Sequence, residues 1–205
     1  MMACKVCPWW MGYLLISPLR KLLQNPKKII APLVHEGMTV VEIGPGMGFF
    51  TLEIAKKVAD SGRVIAIDIQ PKMLEQLEQR AEKAKLRQWI ETRLATSDSL
   101  GMTDLAEAVD LVFAYAVVHE LPDTRNFFQA AFGVLKQNAK LFIAEPGHHV
   151  SVESFNEELQ QAQAEGFEVV ELGQNRQGFT ALLRKGEQTS HSLTTRKGLR
   201  KKHKC

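Results

Sequence analysis

Cysteine, tyrosine and tryptophan are all scarce in this chain: three, two and three among 205 residues. So few cysteines cannot carry a disulfide framework, and they suit a reducing compartment. Cys4 and Cys7 form a single C-x-x-C pair. One such pair supplies half of the ligands that a structural zinc wants, so both read as free thiols and no metal site is expected. Long apolar runs are absent as well. The stretch from Trp9 to Ile16 is too short to cross a bilayer, and no small-residue cleavage site follows it. The expected compartment is the cytoplasm. There are no internal repeats. Strong charge imbalance is missing too, because the formal net charge is only +3. That balance comes from the end of the chain, where Arg196, Lys197, Arg200, Lys201, Lys202 and Lys204 face only Glu187. With no apolar pattern, residues 187–205 are expected to form a disordered, solvated tail. Docking to RNA or to an anionic membrane surface is the alternative that such a tail leaves open.

What the chain does have is a glycine-rich turn in a telling place. Val40-Val41-Glu42-Ile43 reads as a buried strand, Gly44-Pro45-Gly46-Met47-Gly48 as a tight turn, and Thr51 to Val58 as a helix. Glycine there tolerates positive φ and has no Cβ to hold a ligand off the backbone. A dinucleotide loop would be G-x-G-x-x-G, its last glycine letting the helix pack closely under a pyrophosphate. Here the third glycine comes one place early, at Gly48, and bulky Phe49 stands at the dinucleotide position. Glu42 would also set a negative charge beside a pyrophosphate. A carboxylate at that point suits a cationic ligand better.

The rest of the chain agrees in order. A second apolar strand, Arg63 to Ile67, ends in Asp68, where a carboxylate can accept hydrogen bonds from both hydroxyls of a ribose. Pro71 opens a helix whose expected buried stripe is Met73, Leu74, Leu77, Ala81 and Ala84. A third strand, Trp89 to Ala95, runs into Thr96-Ser97-Asp98. A fourth, Val109 to Ala116, leads to Val118-His119-Glu120-Leu121-Pro122-Asp123. Pro122 is expected to start the next helix, with Phe127, Phe128, Ala131, Phe132, Val134 and Leu135 on its apolar face. Lys136 to Lys140 reads as a turn and Leu141 to Glu145 as the fifth strand. Phe155, Leu159, Ala162 and Phe167 mark a further helix, capped by Ser154 with Glu157 or by Ser151, and Gly166 is its C′ residue. Glu168 to Leu172 and Gly178 to Leu183 then read as a strand pair joined by a polar turn.

The run Glu42-x-Gly44-x-Gly46-x-Gly48, with the acids after strands two and three and His119-Glu120-Leu121-Pro122-Asp123 after strand four, resembles class I S-adenosylmethionine (SAM)-dependent methyltransferases. The opening Cys7-Pro8-Trp9-Trp10 is similar to a bacterial and archaeal branch of that family. The resemblance covers roughly residues 18–185 and implies a Rossmann-like α/β fold: a seven-stranded, mainly parallel sheet with an antiparallel C-terminal pair and helices on both faces. It divides the chain into an aromatic and helical arm at 1–35, a methyltransferase domain at 36–186 and the basic tail. It implies that SAM is held by Glu42, Gly44, Pro45, Gly46, Gly48, Asp68, Ile69, Ser97, Asp98 and Ala114, with S-adenosylhomocysteine as product. Glu42 is expected to order the loop or to meet the methionine moiety through water.

Methyl transfer is an in-line displacement at an already activated carbon, so the enzyme must mainly align the acceptor and exclude water. A base is needed only when the acceptor atom starts protonated. His119 is the candidate, with Glu120 beside it; a purely structural histidine at the start of a turn is the alternative. Trp9, Trp10, Tyr13, Tyr115 and Glu145 are the candidates for an acceptor pocket, since aromatic faces attract both the sulfonium and apolar substrates, while packing of the N-terminal arm onto the sheet is the other reading of its aromatics. A small-molecule acceptor is the leading expectation. The alternatives are an RNA or protein methyltransferase docked by the tail, a SAM-binding regulatory protein without turnover, and a nicotinamide-dependent reductase. No Asn-Pro-Pro-Tyr-type motif follows strand four, which speaks against a base-amino methyltransferase.

Overall fold

The first two strands, β1 (Thr39–Ile43) and β2 (Arg63–Asp68), are apolar on both faces, and all but their opening residues are buried. Strands with two apolar faces need a covered sheet, which parallel sheets provide because each crossover lays a helix on one face. The computed structural model describes residues 24–96, 99–175 and 177–187 and has this architecture. Between the short α1 (Pro26–Ile30) and the C-terminal strand pair lie α2 (Thr51–Val58), α3 (Pro71–Lys83), β3 (Ile90–Leu94), β4 (Val109–Tyr115), α4 (Thr124–Val134), β5 (Leu135–Pro146) and α5 (Val152–Ala164). β6 (Phe167–Asn175) and β7 (Gly178–Lys185) complete the seven-stranded sheet, ordered β3-β2-β1-β4-β5-β7-β6. All neighbours are parallel except β7, which is antiparallel to β5 and to β6.

The two faces carry separate cores. Ile30, Ile54, Val58 and Leu77 of α1, α2 and α3 pack on one face with Val40, Val64 and Phe113. Phe127, Phe128, Phe155 and Leu159 of α4 and α5 pack on the other with Ile43, Val112 and Ile143. Gly44 amide donates to Ile67 carbonyl at 2.9 Å, which ties the loop after β1 to the end of β2.

Local details differ from the sequence-based expectations in physically instructive ways. Pro122 does not start α4; the Asp123 carboxylate accepts from the Asn126 amide and caps a helix that begins at Thr124. Ser151, not Ser154, caps α5, its hydroxyl accepting from the Ser154 amide. Ala84 is the exposed C-cap of α3, one turn past its buried stripe. Phe167 opens β6, since Gly166 at φ 104 has already ended the helix. Residues 136–139 do not close a turn between α4 and β5. The ladder pairs Val109 with Leu135 and then Leu111 with Lys140, so these residues bulge out of one continuous strand, with Asn138 at φ 62. Asparagine is one of the few residues that take the left-handed region at low cost, and it stands in here for glycine.

Gly178 begins β7 against the end of β5, at φ +146. A Cβ there would stand 1.9 Å from the carbonyl oxygen of Glu145. Backbone cannot yield as a flexible side chain can, so Gly178→Ala is expected to destabilise the protein by about 2–4 kcal/mol, well beyond a surface substitution. Urea denaturation checks this, and a loss within the error of the measurement would contradict the close approach.

Candidate active site

Parallel strands open their carboxyl ends on one edge of the sheet, where ligands of α/β folds sit. The ends of β1, β2, β4 and β5 meet there around a cavity of about 620 Å³. Its first wall is the loop after β1. Gly44, Gly46 and Gly48 all have positive φ, 67°, 54° and 82°. A Cβ at Gly44 would strike Val117 at 2.7 Å and one at Gly48 would strike Leu77 at 2.3 Å, whereas one at Gly46 would meet nothing within 4 Å. Gly44 and Gly48 are therefore glycine for packing, while Gly46 bares backbone to the cavity. The Arg80 guanidinium donates to the Met47 carbonyl and braces the loop from α3.

Asp68, at the end of β2, is buried and lines the cavity. Its Oδ2 accepts from the Gly46 amide at 3.2 Å and its Oδ1 from the Gln70 amide at 2.9 Å. Burial raises its pKa, and the amides of Gln70, Gly46 and Ile69 work against that rise. A carboxylate has about four acceptor sites. The backbone amides leave part of that capacity for a ligand hydroxyl.

Glu42 sits under the loop, 2% exposed, and it is not among the residues lining the cavity. Among the described residues neither Glu42 Oε2 nor Thr51 Oγ1 has a hydrogen-bond partner. Burial pushes its carboxyl up to about 8; the nearby Thr51 hydroxyl offsets part of the shift and the charge of Asp68 adds to it. Of the two roles expected for Glu42, this placement fits ordering the loop.

The opposite wall comes from the segment after β4. Ala116 takes φ 55, unusual for a residue with a side chain, while its amide donates to the Ala144 carbonyl at 2.7 Å. The chain then makes a single 3-10 turn, Val118–Glu120. Glu145, at the end of β5, anchors that turn: Oε1 accepts from the Val118 amide at 2.9 Å, and Oε2 pairs with Nδ1 of His119. Glu145 is 3% exposed. Burial works against the charged form of His119, but the hydrogen bond to Glu145 and the charges of Glu145, Glu120 and Glu158 outweigh it and raise its pKa. With Nδ1 taken, Nε2 is the nitrogen left for the cavity. The His149 ring stacks on His119, 5.6 Å between centroids and 13° between planes, and His148 lies against His149 at 4.3 Å.

Aromatic residues and Gln24 close the remaining side. Phe50 packs 4.6 Å from Tyr115 and 5.2 Å from Phe113, and Tyr115 hydroxyl accepts from Nε2 of Gln24 at 2.9 Å. Gln177, Phe179 and Thr180 of the β6–β7 hairpin complete the wall. Among the described residues, the carboxylates lining the cavity are Asp68, Glu120, Asp123 and Glu145, and no lysine or arginine lines it.

A family model described as "Methyltransferase domain" matches residues 34–193. The chain belongs to the methyltransferase-domain family. The solved structures similar to this methyltransferase-domain chain include a SAM-dependent methyltransferase from Aquifex aeolicus, with TM-score 0.79 and 23% identity over 88% of this chain and 100% of that one. A methyltransferase from Methanococcus maripaludis matches with TM-score 0.70 and 16% identity over 89% of this chain and 92% of that one. Among curated relatives, the arsenite methyltransferase of Halobacterium salinarum is 29% identical over 59% of this chain and 30% of its own length. The demethylmenaquinone methyltransferase of Lactobacillus johnsonii is 28% identical over 55% of this chain and 45% of its own length. The matched part of the chain thus spans less than half of either relative.

The structure brings Gly44, Pro45, Gly46, Asp68 and Ile69 together on one side of the cavity, and Tyr115, His119, Glu120 and Glu145 on the other. Gly48 and Ala114 lie behind the wall rather than in it, Ala114 fully buried. Trp9, Trp10, Tyr13, Ser97 and Asp98 lie outside the described residues, as do Cys4, Cys7 and residues 188–205. Among the described residues no group of three or more histidine, cysteine or acidic side chains is placed to hold a metal, and no helix is long and apolar enough to cross a membrane.

Sequence reasoning missed Glu158 and Gln24. Glu158 had left a readable signal, an acid inside the apolar stripe Phe155, Leu159 and Ala162 of α5.

The buried Glu42 makes a prediction about pH. Its folded carboxyl titrates near 8, against 4.5 for an ordinary glutamate. Between those values the unfolded chain has lost its proton and the folded one keeps it, so stability falls as pH rises through this window, by up to about 1.4 kcal/mol per pH unit. Glu42→Gln keeps the shape of the protonated acid and removes the titration. Its melting temperature is expected to match wild type near pH 5 and to exceed it increasingly towards pH 8. Parallel melting curves for the two proteins across that range would show the carboxyl to be ordinary.

Proposed function

We propose that the protein is a SAM-dependent methyltransferase acting on a small, neutral or cationic acceptor whose methylated atom begins with a proton. The observation that carries this is the pairing, across one cavity, of the Gly46–Asp68 cradle with a histidine aimed by a buried carboxylate. When bound, SAM supplies a methyl carbon activated by its sulfonium, whose C–S electron pair leaves on sulfur as the new bond forms. Residues Gly44 to Gly46, Asp68 and Ile69 would hold it with Ser97 and Asp98, and Asp98 is the proposed adenine contact. The fit rests on chemistry the chain displays: backbone laid bare at Gly46, spare acceptor sites on Asp68, and a cavity lined by carboxylates that suits a cation.

His119 is proposed as the base. Glu145 binds Nδ1 and so selects the tautomer with a free Nε2 lone pair. That nitrogen takes the proton from the acceptor atom as the atom attacks, and the buried carboxylate stabilises the imidazolium that results. Glu120 adds negative charge beside the ring. The absence of lysine and arginine from the described lining favours acceptors that are not polyanionic, and so favours a small molecule over the phosphate backbone of RNA. Arsenite and demethylmenaquinone, named for the two curated relatives, are small acceptors too.

Calorimetry with SAM, S-adenosylhomocysteine and NAD(H) tests the cofactor. Both adenosyl ligands should bind with NAD(H) inert; stabilisation by NAD(H) alone would overturn the reading. Asp68→Ala should weaken S-adenosylhomocysteine about tenfold to a hundredfold, the worth of hydrogen bonds to a charged acceptor. Unchanged affinity would remove Asp68 from the site. His119→Gln should leave that affinity intact while lowering turnover on phenol, thiol or amine acceptors identified by S-adenosylhomocysteine release. Full turnover would reduce His119 to packing.

A further inference from the structure

Among the described residues, three histidines line the cavity: His119 after β4, and His148 and His149 in the turn after β5. The proposed chemistry uses the first and leaves the other two without a task. His148 and His149 are exposed, so neither belongs to the core. The turn that carries them is held by other groups. The amides of His149 and Val150 both donate to the Pro146 carbonyl at 3.0 Å, the Gly147 amide donates to the Gln177 carbonyl at 3.1 Å, and the Val150 side chain is buried. Yet the His149 ring does not trail into solvent. It lies nearly parallel to the His119 ring, 5.6 Å between centroids and 13° between planes, and the His148 ring rests against it at 4.3 Å. Offset stacking at such a separation is favourable for flat rings.

A histidine side chain turns about two bonds, and both must be fixed before Nε2 has a direction. The hydrogen bond between Nδ1 and Glu145 holds one edge of the His119 ring. A single contact at an edge still lets the ring plane swing about that contact. A flat ring laid on the face stops the swing, because swinging would drive one ring into the other. Both restraints come from one stretch of chain: Glu145 stands at the end of β5, and His149 stands in the turn that the Pro146 carbonyl closes behind it.

Resting on the reading of His119 as base, we propose that His149 is a positioning residue: its ring clamps the face of His119 while Glu145 holds the edge, and together they aim Nε2 at the acceptor atom. Each restraint alone leaves the base able to turn, and the two together give it one direction. The clamp needs a flat ring and no charge. It serves turnover rather than cofactor binding, since a displacement of about 1 Å at a reacting group can cost on the order of a hundredfold in rate.

Two substitutions separate the flat face from the nitrogens. His149→Leu keeps bulk and loses the face, whereas His149→Phe keeps the face and loses both nitrogens. NMR of the full chain with ring-labelled histidine and bound S-adenosylhomocysteine reads the His119 ring directly, its signal assigned by its loss in His119→Gln. In wild type and in His149→Phe the His119 ring is expected to be rigid, its protons moved upfield by the stacked neighbour. In His149→Leu that upfield shift should vanish and the ring should gain fast motion. Turnover on an acceptor found by S-adenosylhomocysteine release should fall about tenfold in His149→Leu with the KM for SAM unchanged, and should return to within about twofold of wild type in His149→Phe. A His119 ring as rigid in His149→Leu as in wild type overturns the proposal. So does His149→Phe behaving like His149→Leu, which would make a nitrogen the part that counts, and so does loss of the fold in His149→Leu, which would make the residue structural. Failure of the base reading looks different: His119→Gln would keep full turnover while the His119 ring still loosened in His149→Leu.

Discussion

Parallel alignment of β1, β2, β4 and β5 is the constraint on which the rest of this protein depends. Parallel pairing puts every carboxyl end on one edge, and the backbone there has run out of ladder partners. The segment after each strand must satisfy its polar groups locally. The loop after β1 does so by donating the Gly44 amide to Ile67 and the Gly46 amide to Asp68. The segment after β4 does so by donating the Ala116 amide to Ala144 and the Val118 amide to Glu145. The cavity is the space between these two solutions.

The same edge gathers the buried acids. Glu42, Asp68, Glu145 and Glu158 are the buried carboxyls of the described chain, and Asp68 and Glu145 line the cavity. Two of them, Asp68 and Glu145, are supplied with backbone amides. The inner oxygens of the other two, Glu42 and Glu158, are not. Amide donors thus meet two of these acids, while burial raises the pKa of Glu42 and Glu158. Such groups oppose folding, and a helix stripe or a strand centre would be more stable without them. Concentrating that cost at one edge marks it as the candidate functional site.

Much of this was legible in the residues. The order of strands and helices follows from apolar runs broken by Gly, Pro and Ser, and the spacing of Gly44, Gly46 and Gly48 marks the loop without reference to any fold. Misreadings came where chemistry is shared between neighbours. Pro122 and Asp123 both signal a helix start, and the capping carboxylate won because it satisfies an orphan amide. Lys136 to Lys140 reads as a turn although it lacks Pro and Gly, and the chain forms a bulge there with Asn138 at φ 62. Glu158 was passed over because an acid on an amphipathic helix usually faces water, and only the packing of α5 against the sheet shows that this one does not.

By itself the sequence determined the alternation of strands and helices, the glycine loop and the acid that ends β2, because each depends on residues close in the chain. The charge expected of Glu42 beside a ligand is not found, because the side chain is buried behind the cavity wall and burial raises its pKa. The tertiary structure decided which groups act together. His119 and Glu145 are far apart in the chain, and nothing local relates them. His119 and Glu145 meet because β5 lies beside β4, and only that pairing sets a buried carboxyl on Nδ1 of the histidine.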